Sequence, residues 1–102
     1  MKTYRTLYLE AVFSRMAGPD GDRIRTKAVA LTRKWDTVPG TDPYYGRRWR
    51  ELLDMPIEQM RAIVLAQTEE GERLRHAMPF ADVLPPSERE ELRRQARSLS
   101  HP

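Results

Sequence analysis

The sequence predicts an all-α protein: one compact domain, residues 1–102, built as an array of five or six short helices. Three observations carry that expectation. Apolar residues recur at three- and four-residue spacing in successive segments. Proline and glycine punctuate the chain between those segments, with eight prolines and five glycines in 102 residues. No run alternates apolar and polar residues over a strand's length. At 39% hydrophobic and 32% charged, the chain is too apolar for a disordered segment and long enough for one core.

The elements follow in order. Residues 2–17 form a first helix whose stripe of Leu9, Val12, Phe13 and Met16 is widened by Tyr4, Leu7 and Tyr8, so it should be covered on more than one side. Gly18-Pro19-Asp20-Gly21 is a tight turn. A second helix runs from about Asp22 to Trp35, with Ile24, Ala28, Leu31 and Trp35 in line and Arg23, Arg25, Lys27, Arg33 and Lys34 on its other sides. Asp36 to Asp42 is a loop. Asp42-Pro43 opens a third helix, because Asp caps and Pro at the first position lacks an N–H that would be unpaired anyway. Tyr45, Trp49, Leu52 and Leu53 share one of its faces, and Pro56 ends it near Asp54.

A fourth helix follows over about 57–66, with Ile57, Met60 and Val64 on one side. Thr68 caps a fifth over about 69–78, where Glu69 and Glu70 complement the positive end of the helix dipole. Pro79 closes it. The run from Phe80 to Pro86 is too short and proline-bound for a helix, and should lie across the helices with Phe80 buried. Ser87 and Glu90 form a capping box for a last helix carrying Leu92, Ala96 and Leu99, and the tail SLSHP should fray. The expected core is Leu9, Val12, Phe13, Ile24, Ala28, Leu31, Trp35, Tyr45, Trp49, Leu52, Leu53, Met60, Val64, Leu74 and Phe80.

Several function classes lack their residues. There is no cysteine, which fits a reducing compartment. His76 stands alone and His101 is next to the last residue, so no metal is expected. No serine nucleophile motif and no glycine-rich phosphate loop is present, so no cofactor and no enzymatic activity are expected. No apolar run approaches the roughly 18 residues of a membrane span, and the first 16 residues lack the pattern of a signal peptide. The expected location is the cytoplasm, with no membrane partner.

Charge is the informative feature. The net charge is +3, but residues 1–50 hold eleven Lys/Arg against five Asp/Glu, and residues 51–102 hold seven against ten. Such asymmetry suits an acidic partner. Arg47, Arg48 and Arg50 lie off the apolar stripe of the third helix, and Arg23, Lys27 and Lys34 lie on the second. Tyr45 occupies the stripe, so Tyr44 should point nearer the surface. These seven residues, Tyr44, Arg47, Arg48, Arg50, Arg23, Lys27 and Lys34, form the candidate partner-binding face. The bland alternative is a set of solvated charges, with Arg50 paired to Asp54 one turn on.

The expected function is that of a small non-enzymatic interaction or regulatory protein (an inhibitor, antitoxin-like factor, adaptor or small subunit) that binds a protein partner through this face. Arg, Tyr, Trp and Met, the residues that anchor interfaces, are all present. The alternative is a nucleic-acid-binding protein using the same cations on phosphates. A helix-turn-helix over 57–78 fits poorly, because its second helix opens with Glu69, Glu70 and Glu72, where DNA contact would be needed. Oligomeric state is not legible in the chain.

Overall fold

The computed structural model describes residues 2–100, with the side chain of Ser100 excepted. Six helices occupy them: α1 (Tyr4–Met16), α2 (Gly21–Trp35), α3 (Pro43–Leu53), α4 (Ile57–Val64), α5 (Glu69–His76) and α6 (Pro86–Ser100). Among the described residues there is no strand. The chain is therefore all-α, as its periodicity predicts.

The helix starts are set by local chemistry. Thr3, Asp42 and Thr68 cap α1, α3 and α5 by accepting from the amides of Thr6, Tyr44 and Gly71. The turn before α2 demands glycine: a Cβ on Gly21 would stand 2.2 Å from the Met16 carbonyl oxygen. Gly40, in the loop before α3, adopts φ +84°, a conformation other residues rarely take.

The ends differ in detail from the sequence expectation. α4 stops at Val64 rather than near Ala66, and α5 at His76 rather than Met78. The end of α4 is held by Arg75, whose Nη1 donates to the carbonyls of Val64 (2.6 Å) and Ala66 (2.9 Å), a cation on the negative end of the helix. Pro79 disfavours helical geometry one residue back, and α5 leaves its ladder at Ala77. The capping box at Ser87 does not form. α6 begins one residue earlier at Pro86, and Glu88 and Arg89 donate to the Pro85 carbonyl. Proline in the first helical position outweighs the serine signal because it is preset for a helix and has no N–H to satisfy. The backbone is helical through Ser100, and residues 101–102 of the tail, with His101, lie outside the described residues.

One cluster forms the core. α1 is covered on several sides, by α2, α4, α5 and α6, and α2 packs most extensively on α3. Trp49 is 0% exposed at the centre of the cluster. Its Nε1 donates to the Ala77 carbonyl at 2.5 Å, and its ring meets Phe80 edge-on, centroids 5.3 Å apart. Phe80 in turn meets Phe13 at 6.1 Å. The segment after α5 thus lies across the helices, as expected, and Leu84 is buried with Phe80. Three expected core residues sit further out: Trp35 and Tyr45 pack against the cluster half-buried, and Leu31 lines a surface groove. Leu99, in line with Leu92 and Ala96, is 52% exposed. Tyr8, Met16, Leu84, Leu92 and the polar Thr32 join the core; Thr32 is accommodated by donating to the Val29 carbonyl at 2.6 Å.

Candidate functional site

The cations of α2 lie on two flanks. At 3.6 residues per turn, Arg23, Lys27 and Lys34 fall within about 40° of one another around the helix. Arg25 and Arg33 fall on the side nearer α3, where Arg25 donates to the Leu53 carbonyl. The seven residues of the sequence-derived face are accordingly spread over separate surfaces rather than brought together.

Arg23, Lys27 and Lys34 line a groove of about 490 Å³ between α2 and the segment 79–83. Its apolar part is formed by Ile24, Ala28, Leu31, Phe80 and Val83. Arg15 adds a fourth cation, and Asp20 and Asp82 also line it. Arg15 is paired with Glu88, and Arg23 lies 3.5 Å from Asp20. The ammonium groups of Lys27 and Lys34 form no ion pair or hydrogen bond with the described residues. Two free ammonium groups therefore stand beside an apolar trough, a combination that favours a ligand with both an acidic and an apolar side.

The arginines of α3 are differently employed. Arg48, with its side chain 22% exposed, joins α3 to α5 through Glu70 at 2.9 Å and contacts Glu51 at 3.0 Å. The hydrogen bond it donates to Glu70, helped by the one it donates to Glu51, raises its pKa above the ordinary arginine value. Arg50 does not pair with Asp54. It reaches back to Asp36 at 3.0 Å and to the Thr32 hydroxyl at 3.3 Å, tying α3 to the end of α2. Gly46 makes room there: a Cβ on it would stand 2.9 Å from Asp36 Oδ1 and 3.2 Å from the Thr32 carbonyl oxygen. Arg47 alone of the three has no partner among the described residues, and with Arg33, Arg50, Glu51 and Asp54 it lines a shallow cleft between α2 and α3 that shares no residue with the α2 groove. Tyr44 is exposed as its neighbour's place on the stripe requires, and its ring stands edge-on to Tyr45 at 5.3 Å.

Sequence reasoning missed Arg15 and the wall formed by Phe80 and Val83. The signal for the wall was present, because apolar residues between prolines imply a segment laid against something. The signal for Arg15 was not, since its proximity to α2 depends on the angle at which the Gly18–Gly21 turn sets the two helices.

Among the described residues, no group of three or more His, Asp or Glu is placed to hold a metal ion, and no helix is long and apolar enough to cross a membrane. Comparison with protein-family models, with curated proteins and with solved structures gave no match for the chain.

Proposed function

We propose that this chain is a non-enzymatic interaction protein that binds an acidic protein partner through the groove between α2 and the segment 79–83. The observation that carries the reading is the pairing of Lys27 and Lys34, both without an anionic partner among the described residues, with the apolar trough of Ile24, Leu31 and Val83. A partner helix with one acidic and one apolar face satisfies both halves of such a surface. A phosphate backbone satisfies only the cations, and Asp20 and Asp82 in the same groove oppose it. A nucleic-acid reading is better supported at the start of α3, where exposed Tyr44 offers a stacking face near unpaired Arg47.

Affinity capture from the native host, with and without nuclease, followed by binding of the purified captured protein, tests the two readings. The expected result is a nuclease-resistant acidic protein whose complex weakens by at least about tenfold in the double variant Lys27→Ser, Lys34→Ser, with an association rate more salt-sensitive than the dissociation rate. Recovery that disappears with nuclease, together with loss of binding in Tyr44→Ser, Arg47→Ser, overturns the protein-partner reading in favour of nucleic acid. Unchanged affinity in the lysine variant removes the groove from the interface.

A further inference from the structure

A second concavity, of about 410 Å³, opens where the first turn of α1 meets α6 and the stretch after α5. Tyr4, Tyr8, Met78 and Phe80 line its apolar part, and Arg5 and Arg89 supply two guanidinium groups. No acidic residue lines it. Neither arginine forms an ion pair with the described residues, whereas nine arginines elsewhere in the chain do, most of them with Glu.

Arg89 is the unusual member. Its Nε is buried without a hydrogen-bond acceptor, the single buried side-chain polar atom in that position among the described residues. A buried N–H left unpaired costs about 1–3 kcal/mol, so native structures seldom keep one without a reason. The Tyr8 hydroxyl, which donates to the Phe80 carbonyl and lies 3.3 Å from that of Ala81, does not accept from the Arg89 Nε–H. The neighbouring amides of Tyr4 and Arg5 head α1 and precede its hydrogen-bond ladder, adding the positive end of a 13-residue helix to the same place. In the aromatic wall Arg93 stands 5.1 Å from the centre of the Tyr4 ring, and Tyr8 packs against that ring at 5.9 Å. Two cations without counter-ions and an apolar wall share one cleft, beside the buried Arg89 Nε.

We propose that this cleft binds a small organic carboxylate with an aromatic or similarly flat apolar body, the carboxylate taken by Arg89 and Arg5 and the body lying against Tyr4, Tyr8 and Met78. The site is independent of the α2 groove's function: the two concavities share Phe80 and Ala81 but none of their cations.

Benzoate, its neutral counterpart benzamide, and inorganic phosphate are the probes. Each is titrated into the full chain while backbone amides and the Arg89 Nε–H are followed by NMR. Benzoate should bind saturably with Kd of about 0.1–5 mM, the range open to a ligand of its size, and shift the Arg89 Nε–H and the amides of Tyr4, Arg5 and Ala81. Benzamide and phosphate should bind at least about tenfold more weakly, the first lacking charge and the second lacking the apolar body. Arg89→Met keeps the aliphatic stem and removes the orphaned donor, so it should abolish benzoate binding without lowering Tm. Arg5→Gln, at an exposed position, should weaken benzoate several-fold with the fold untouched. Benzamide equal to benzoate, phosphate tighter than benzoate, or no saturable benzoate shift at Arg89 overturns the proposal. A lowered Tm in Arg89→Met with benzoate affinity unchanged in Arg5→Gln does so as well, because it makes the arginine a structural group.

Discussion

Replacing Trp49 is the most direct test of how the helices are held. The side chain is fully buried, its indole N–H donates to the Ala77 carbonyl just past α5, and its ring meets Phe80 edge-on. It therefore joins α3 to both ends of the turn that brings the chain back across the core. Truncation to alanine removes a buried aromatic at a cost of about 3–5 kcal/mol. The orphaned Ala77 carbonyl adds about 1 kcal/mol more. A domain of this size is stable by about 5–15 kcal/mol, so Trp49→Ala should leave a marginal fold. Trp49→Phe separates the two contributions. It retains most of the apolar contact and loses the hydrogen bond, and should cost about 1–2 kcal/mol, a fall in Tm of about 4–16 °C. Urea titration followed by the helical circular dichroism signal measures both variants. A loss below about 1 kcal/mol in Trp49→Ala, or equal losses in the two variants, would refute this reasoning, since either result means that the indole does not sit between α3 and Phe80.

Three further predictions follow from the same geometry. Gly21→Ala should destabilise by at least about 2 kcal/mol on denaturant titration, because the new Cβ meets the Met16 backbone oxygen at 2.2 Å, whereas Gly18→Ala, whose Cβ would stand 3.4 Å from its nearest neighbour, should be much milder. Arg47→Ser should change stability by less than about 0.5 kcal/mol, while Arg50→Ser, which breaks the contacts to Asp36 and Thr32, should cost about 1 kcal/mol; equal effects would show that the α2–α3 ion pair contributes nothing. Burial, with the nearby Tyr4 hydroxyl adding and Arg89 opposing, raises the Tyr8 phenol above its ordinary pKa near 10. The unfolded chain then releases this proton first, so the contribution is complete below pH 10 and is lost as pH rises toward the folded value. Tyr8→Phe should flatten the alkaline fall in Tm, and an unchanged slope would disprove the linkage.

The separation between Arg47 and its neighbours bears on how the basic face can be tested. All three α3 arginines lie off the apolar stripe, and from sequence they look interchangeable. Changing them together would confound binding with stability, because Arg48 links α3 to α5 and Arg50 links α3 to α2. Arg47 with Tyr44, and Lys27 with Lys34, are the pairs whose substitution leaves the helix contacts in place.

What the sequence determined by itself is local. Helical periodicity, the caps at Asp42 and Thr68, and the breaks at Pro56 and Pro79 act within a few residues, so they are legible without knowing the fold. Most of the core was legible for the same reason, since a residue such as Trp49 or Val12 on the centre of an apolar stripe is buried whichever helix covers it. Residues at the stripe's edge, such as Leu31 and Trp35, depend on how far a neighbour reaches, and there the sequence expectation failed. The charged residues show the limit most clearly. A long flexible cation has several carboxylates within reach, and which one it meets is decided by helix crossing and loop path, not by spacing along its own helix. Tertiary structure alone sent Arg50 to Asp36 instead of Asp54, split the cations of α2 and α3 between two surfaces, and left Arg89 with a buried donor that nothing in the chain's pattern announced.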